Sequence, residues 1–110
     1  MPSDTSSWQT LSALINTNLI VLDRPKATAH LRYPDLIYPL DYGYLENTST
    51  GDGIDVWIGS MGDKILTGIL CTFDRLKRDA EIKLLIGCTQ KDVETIQGFN
   101  NTMVEHDLSK

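Results

Sequence analysis

The sequence predicts a single α+β domain: a small five-stranded antiparallel barrel with an N-terminal and a C-terminal helix. Three observations carry this. Short β-branched runs follow one another through turns rich in Gly, Asp, Asn and Ser, which favours antiparallel neighbours over a parallel sheet. Apolar residues at helical spacing occur only near the two ends of the chain. The 110 residues, 41% hydrophobic and 23% charged, suit one soluble domain with one core, residues 1–110.

The first helix is expected over residues 5–17, where Thr5, Ser6 and Ser7 offer caps and Trp8, Leu11, Leu14 and Ile15 form an apolar face. Leu19 to Leu22 reads as a strand, ended by Asp23-Arg24-Pro25-Lys26 because Pro25 cannot donate to a ladder. Residues 24–37 are irregular, punctuated by Pro25 and Pro34. Tyr42 to Glu46 reads as the second strand, and Asn47 to Gly53 as a loop. Ile54 to Ile58 alternates and is rich in β-branched and aromatic residues, so it reads as the third strand. After the turn Ser60-Met61-Gly62-Asp63, Ile65 to Phe73 and Ala80 to Ile86 read as two more strands joined by the charged segment Asp74 to Arg78. Thr89-Gln90-Lys91-Asp92 resembles a capping box with Asp in place of Glu. Val93, Ile96, Phe99 and Met103 give the stripe of the closing helix.

A net charge of −5 argues against nucleic-acid and membrane-surface partners, which call for basic surfaces. It equally disfavours a bare single-strand binder on a barrel of this kind. An acidic site can still take a phosphate when divalent ions bridge the two. Met1-Pro2-Ser3-Asp4 lacks the basic start and apolar run of a secretory signal, so the expected location is cytoplasmic. The two cysteines, Cys71 and Cys88, lie in apolar contexts and read as buried free thiols. A small barrel with two apolar-faced helices leaves surface to bury, which predicts a homo-oligomer.

The polar residues that could carry chemistry fall into two clusters. Asp52 and Asp55 flank Gly53-Ile54 at a loop-to-strand junction. Carboxylates this close repel each other unless a cation lies between them. Ordinary turn chemistry would also place Asp and Gly there. Asp74 and Asp79 bracket Arg75, Lys77 and Arg78, which in isolation describes a solvated turn. Asp79, Glu81 and Lys83 are spaced by two, so a strand would present all three on one face. That face could be a site or simply the wet side of a sheet. Tyr38, Tyr42 and Tyr44 offer neutral hydroxyl donors or plain strand packing. Lys26, His30 and Arg32 are cations in the irregular segment and could reach a phosphate. His30 alone reads more readily as a surface or structural histidine, and His106 has no evident partner in the sequence.

Together these segments resemble the soluble, family I inorganic pyrophosphatases. Tyr38-Pro39-Leu40-Asp41-Tyr42-Gly43-Tyr44 is similar to the family's Tyr-Pro-x-Asn-Tyr-Gly-Tyr stretch. Thr50-Gly51-Asp52-Gly53-Ile54-Asp55-Val56 is similar to its Asp-x-Asp-x-x-Asp-Val metal signature. Asp74, followed by Asp79-Ala80, resembles the later pair of metal-site aspartates, and Asp23-Arg24-Pro25 the early Glu-x-Pro element. The four elements stand in the family's order over residues 19–88, which is far more specific than any one of them.

The resemblance implies a barrel of the OB type and magnesium-dependent hydrolysis of pyrophosphate to phosphate by a metal-activated water. It implies Mg2+ held by Asp52, Asp55, Asp74 and Asp79, with Asp55 and Asp52 catalytic, polarising the water. Lys26, Arg32, Tyr42 and Lys83 are the implied substrate-binding residues. The same barrel without turnover, a metal- and phosphate-binding module, is the alternative. The sequence departs from the family in four places. Thr50 stands where the first signature aspartate is expected; if Asp52 matches that one instead, the middle one is missing. Either way one carboxylate is lost. The family's Lys-x-Glu strand after the Glu-x-Pro element has no counterpart, with Lys26 and Arg32 as candidate substitutes. The family's Asp-x-Lys becomes Asp79-Ala80-Glu81-Ile82-Lys83, with the lysine displaced by two. No late Tyr-Lys pair follows the closing helix, which implies a lowered rate.

Overall fold

The computed structural model describes residues 3–48, 53–74 and 78–108, with side chains described over 7–48, 53–74 and 78–105. The element order is α1 (Ser3–Thr17), β1 (Ile20–Arg24), β2 (Asp41–Leu45), β3 (Ile54–Ile58), β4 (Leu66–Asp74), β5 (Asp79–Ile86) and α2 (Gln90–Leu108). The α+β class with five strands and two helices is therefore as expected. The strands form one mixed sheet in the order β1-β2-β3-β5-β4.

The expectation of all-antiparallel pairing is corrected at one ladder. β3 and β5 run parallel, with Asp55 opposite Lys83 and Val56 opposite Leu84. The cause is the route of the chain. After β3 it runs to the outer position of β4 and then returns as β5 between the two. β5 is antiparallel to its hairpin partner β4, and so shares the direction of β3. Among the described residues no ladder joins β1 to β4, and the sheet is open rather than a closed barrel.

Two apolar clusters lie on opposite faces of this sheet. Ile15, Leu45, Val56, Leu66, Leu84 and Ile86 form the first, with Leu11 and Leu14 of α1 packed against it. Trp8, expected on the same helical face, is 40% exposed and lies at its margin. The second cluster joins Tyr38, Leu40, Trp57, Leu85, Cys88 and Ile96, with Val93 and Phe99 of α2 against it. The run Leu84-Leu85-Ile86 is buried throughout, as a strand covered by a helix on each side requires. Cys71 departs from the expectation of two buried thiols. It is exposed because β4 is an edge strand, whereas Cys88 is buried, and both are free.

The capping box at α2 forms as its sequence predicts. The Asp92 amide donates to Thr89 Oγ1 at 3.0 Å, and the Thr89 amide donates to Asp92 Oδ2 at 3.0 Å. The same oxygen accepts the Ser60 amide at 2.9 Å and the Ser60 hydroxyl at 2.8 Å, tying the turn after β3 to the helix. Burial by itself raises the Asp92 pKa, but the donors of Ser60 and Thr89 outweigh it and hold the group at about 2 against an ordinary 3.8. A folded pKa below the unfolded one gives stability that is complete above about pH 5 and lost as pH falls towards 2. Asp92→Ala should cost about 1–2 kcal/mol at neutral pH. Urea melts of the two proteins should show that difference shrinking between about pH 5 and pH 2. A constant difference across that range would remove the carboxylate from the account.

Candidate functional site

One cleft of about 380 Å³ gathers residues from two strands: Gly53, Ile54 and Asp55 at the start of β3, and Asp79, Ala80, Glu81 and Ile82 at the start of β5. The parallel β3–β5 ladder is what brings the two segments side by side. Local chemistry then sets the entry to β3. The Thr48 hydroxyl donates to the Leu45 carbonyl at 2.8 Å and accepts the Ile54 amide at 3.0 Å. This buried threonine anchors both ends of the loop between β2 and β3. Gly53 has φ +138°, and an added Cβ there would collide with the Leu45 carbonyl. Only glycine fits so close an approach.

Beside the cleft lies a polar network on the α2 face of the sheet. Lys83 Nζ is 3.1 Å from Asp55 Oδ2 and 3.7 Å from Glu81 Oε2. It donates to Tyr42 Oη at 2.7 Å and lies 5.2 Å from the centre of that ring. Lys83 is 9% exposed, so its charge is desolvated and requires these partners. The Tyr42 pKa is pushed far up, first by burial, then by the negative charge of Asp55 and a hydrogen bond to it. Tyr42 is thus a neutral phenol at any working pH, able to orient Lys83 and Asp55 but not to act as a base. Its ring packs edge-on against Trp57 with centres 4.7 Å apart, which fixes its position.

The expected site residues divide as follows. Asp55 and Asp79 line the same cleft, although 24 positions separate them in the chain. Asp74 lies opposite Asp79 at the end of the β4–β5 hairpin and is half-buried. Asp52 lies outside the described residues, as do Thr50, Arg75 and Lys77. Lys83 and Tyr42 adjoin the cleft through Asp55. Lys26 and Arg32 do not line it. Both are exposed on the excursion between β1 and β2, where the Lys26 amide donates to Asp41 Oδ1 at 2.7 Å and the Arg32 amide to His30 Nδ1 at 3.0 Å. His30 is half-buried and stacks between Tyr33 and Tyr38, a structural role. Glu81 was not among the expected site residues, yet it lines the cleft and pairs with Lys83. The spacing Asp79-Glu81-Lys83 was its signal.

The cleft is acidic: three carboxylates, Asp55, Asp79 and Glu81, against one ammonium leave an excess of negative charge. Among the described residues no three His, Cys, Asp or Glu converge closely enough to hold a metal ion by themselves. Magnesium commonly takes one or two carboxylates and completes its octahedron with water and phosphate oxygens, so the residues present fit that ion. Comparisons of the chain with family models, with curated proteins and with solved structures found no match.

Proposed function

We propose that this chain hydrolyses inorganic pyrophosphate to phosphate with the help of magnesium, on an OB-type barrel completed by association of β1 with β4. The observation that carries the reading is that Asp55 and Asp79 both line one cleft, beside the buried Lys83–Tyr42 pair. These are the positions at which the sequence resembles the metal segments of the family I pyrophosphatases.

In this reading Asp55 would hold the ion on the β3 side of the cleft and Asp79 on the β5 side, in part through the ion's own waters, and Asp74 and Asp52 are proposed as further ligands on the sequence resemblance alone. A bound magnesium ion supplies Lewis acidity and an acidified water to attack phosphorus. The Asp55 carboxylate would orient the attacking water by accepting its hydrogen bonds. Lys83 supplies a cation for the phosphoryl oxygens as the P–O–P bond breaks, and Tyr42 keeps the ammonium aimed. Ile54, Ile82 and Ala80 line the rest of the cleft.

The assay is phosphate release from pyrophosphate. Release should be present with millimolar magnesium and fall to the uncatalysed level when the ion is chelated. Its rate should lie well below that of enzymes with a complete metal signature, since one lost electrostatic donor costs about a hundredfold. The seating of the Lys83 ammonium on Asp55 favours a second reading, a phosphate-binding module without turnover. Binding of pyrophosphate with no release of phosphate would select it.

A further inference from the structure

Lys83 poses a question that the proposed reaction leaves open. Its ammonium is seated against the carboxylate that a metal ion would need. We propose that Lys83 couples the two ligands of the cleft, holding Asp55 and Glu81 until a phosphate draws it away, so that a divalent cation and a phosphate bind tightly only together. The proposal rests on the phosphoanhydride site described above and deepens it.

Competition follows from the distances. An ammonium 3.1 Å from Asp55 Oδ2 and 3.7 Å from Glu81 Oε2 repels a divalent ion approaching the same oxygens. In the partly desolvated cleft that repulsion is several times what it would be in bulk water. The competition is built into the sheet, because the parallel register places Lys83 directly opposite Asp55. Tyr42 does not relieve it, since its oxygen accepts from Lys83 at 2.7 Å and holds the ammonium in place.

The way out lies on the cleft side. The Glu81 side chain is 47% exposed, so solvent reaches the partner of the lysine head on this side. Lysine carries its charge on a flexible stem with three rotatable donors and can swing without moving the strand. A phosphate at the cleft mouth offers it a stronger anion than a shared carboxylate. As the ammonium turns outward, Asp55 becomes available to the cation. Each ligand then favours the other, and the factor must be the same in both directions.

The experiment uses Mn2+ as a paramagnetic probe and inorganic phosphate as the anion, on the native chain and on Lys83→Met. Saturating phosphate should tighten Mn2+ binding to the native chain about tenfold, and Mn2+ should tighten phosphate binding by the same factor. Lys83→Met should bind Mn2+ alone about tenfold more tightly than the native chain and show no response to phosphate. Lys83→Gln, which keeps a hydrogen bond to Asp55 without the charge, should behave like Lys83→Met. If the methionine variant does not fold, the glutamine variant and the native chain decide. Mn2+ binding to the native chain that phosphate leaves unchanged overturns the coupling while the cation site stands. Variants that bind Mn2+ no more tightly than the native chain overturn it as well. If Mn2+ binds under none of these conditions, the magnesium site itself fails and the coupling with it.

Discussion

Asp55→Asn should lower phosphate release from pyrophosphate by about a hundredfold or more at saturating magnesium. The substitution keeps the shape of the side chain and removes its charge. Three functions go with that charge. Asp55 lines the cleft, so under the proposed reaction the cation would lose its central ligand. It faces Lys83 at 3.1 Å, so the ammonium loses the partner that compensates its burial. Its negative charge and hydrogen bond also help to keep Tyr42 neutral. A hydrogen bond to a charged group contributes about 1.5–3 kcal/mol, so a modest loss of stability should accompany the loss of rate. The two effects separate experimentally. Melting curves report the stability term, and phosphate release measured well below the melting temperature reports the chemical one. A variant that melts normally and hydrolyses pyrophosphate at the native rate would remove Asp55 from the site.

How much of this was legible in the sequence depended on how far each feature reaches along the chain. The sequence places β3 at Ile54 to Ile58, where it is observed, because alternation within five residues decides it. The Thr89–Asp92 box was equally local. β2 was displaced by one residue, since Asp41 joins the ladder opposite Ile58 through a partner that the sequence does not name. The parallel pairing of β3 with β5 could not be read at all. Its direction follows from where β4 lies, a fact of tertiary packing. With it went the adjacency of Asp55 and Lys83, which depends on that register. The second anchor of Asp92, at Ser60, spans 32 positions and was hidden for the same reason. Lys26 and Arg32 look suitable by charge and order, but the excursion that carries them folds back on itself. Its hydrogen bonds run from Ala27 to Tyr38 and from His30 to Leu36, away from the cleft. Glu81 was visible as one of three alternating charges, and only the neighbouring strand separates a site from a wet face.

Gly43 joins sequence to fold directly, and Gly43→Ala should be strongly destabilising. In the stretch Tyr42-Gly43-Tyr44 the glycine could be read as a strand residue of no special kind, at some cost to strand stability. The structure gives it a stricter role. A Cβ at Gly43 would collide with the Val21 carbonyl and come within 3.1 Å of the Leu22 Cα, both backbone atoms of β1. Backbone cannot rotate aside as a side chain can, so β1 would have to lift from β2. The β1–β2 register is irregular between Leu22 and Arg24, next to the Leu22–Gly43 pair. Lifting β1 would also loosen Ile20 from the apolar cluster beneath α1. Forcing a methyl group into a packed interior costs typically about 1–3 kcal/mol and more when backbone must move, so a loss of about 3 kcal/mol or more is expected. For a domain of this size that is a fall in melting temperature of about 12 °C or more. The cleft is built by β3 and β5, on the far side of β2, so the variant that remains folded should keep its affinity for Mn2+. A Gly43→Ala protein that melts with the native one would mean that β1 does not approach β2 as closely as the register requires.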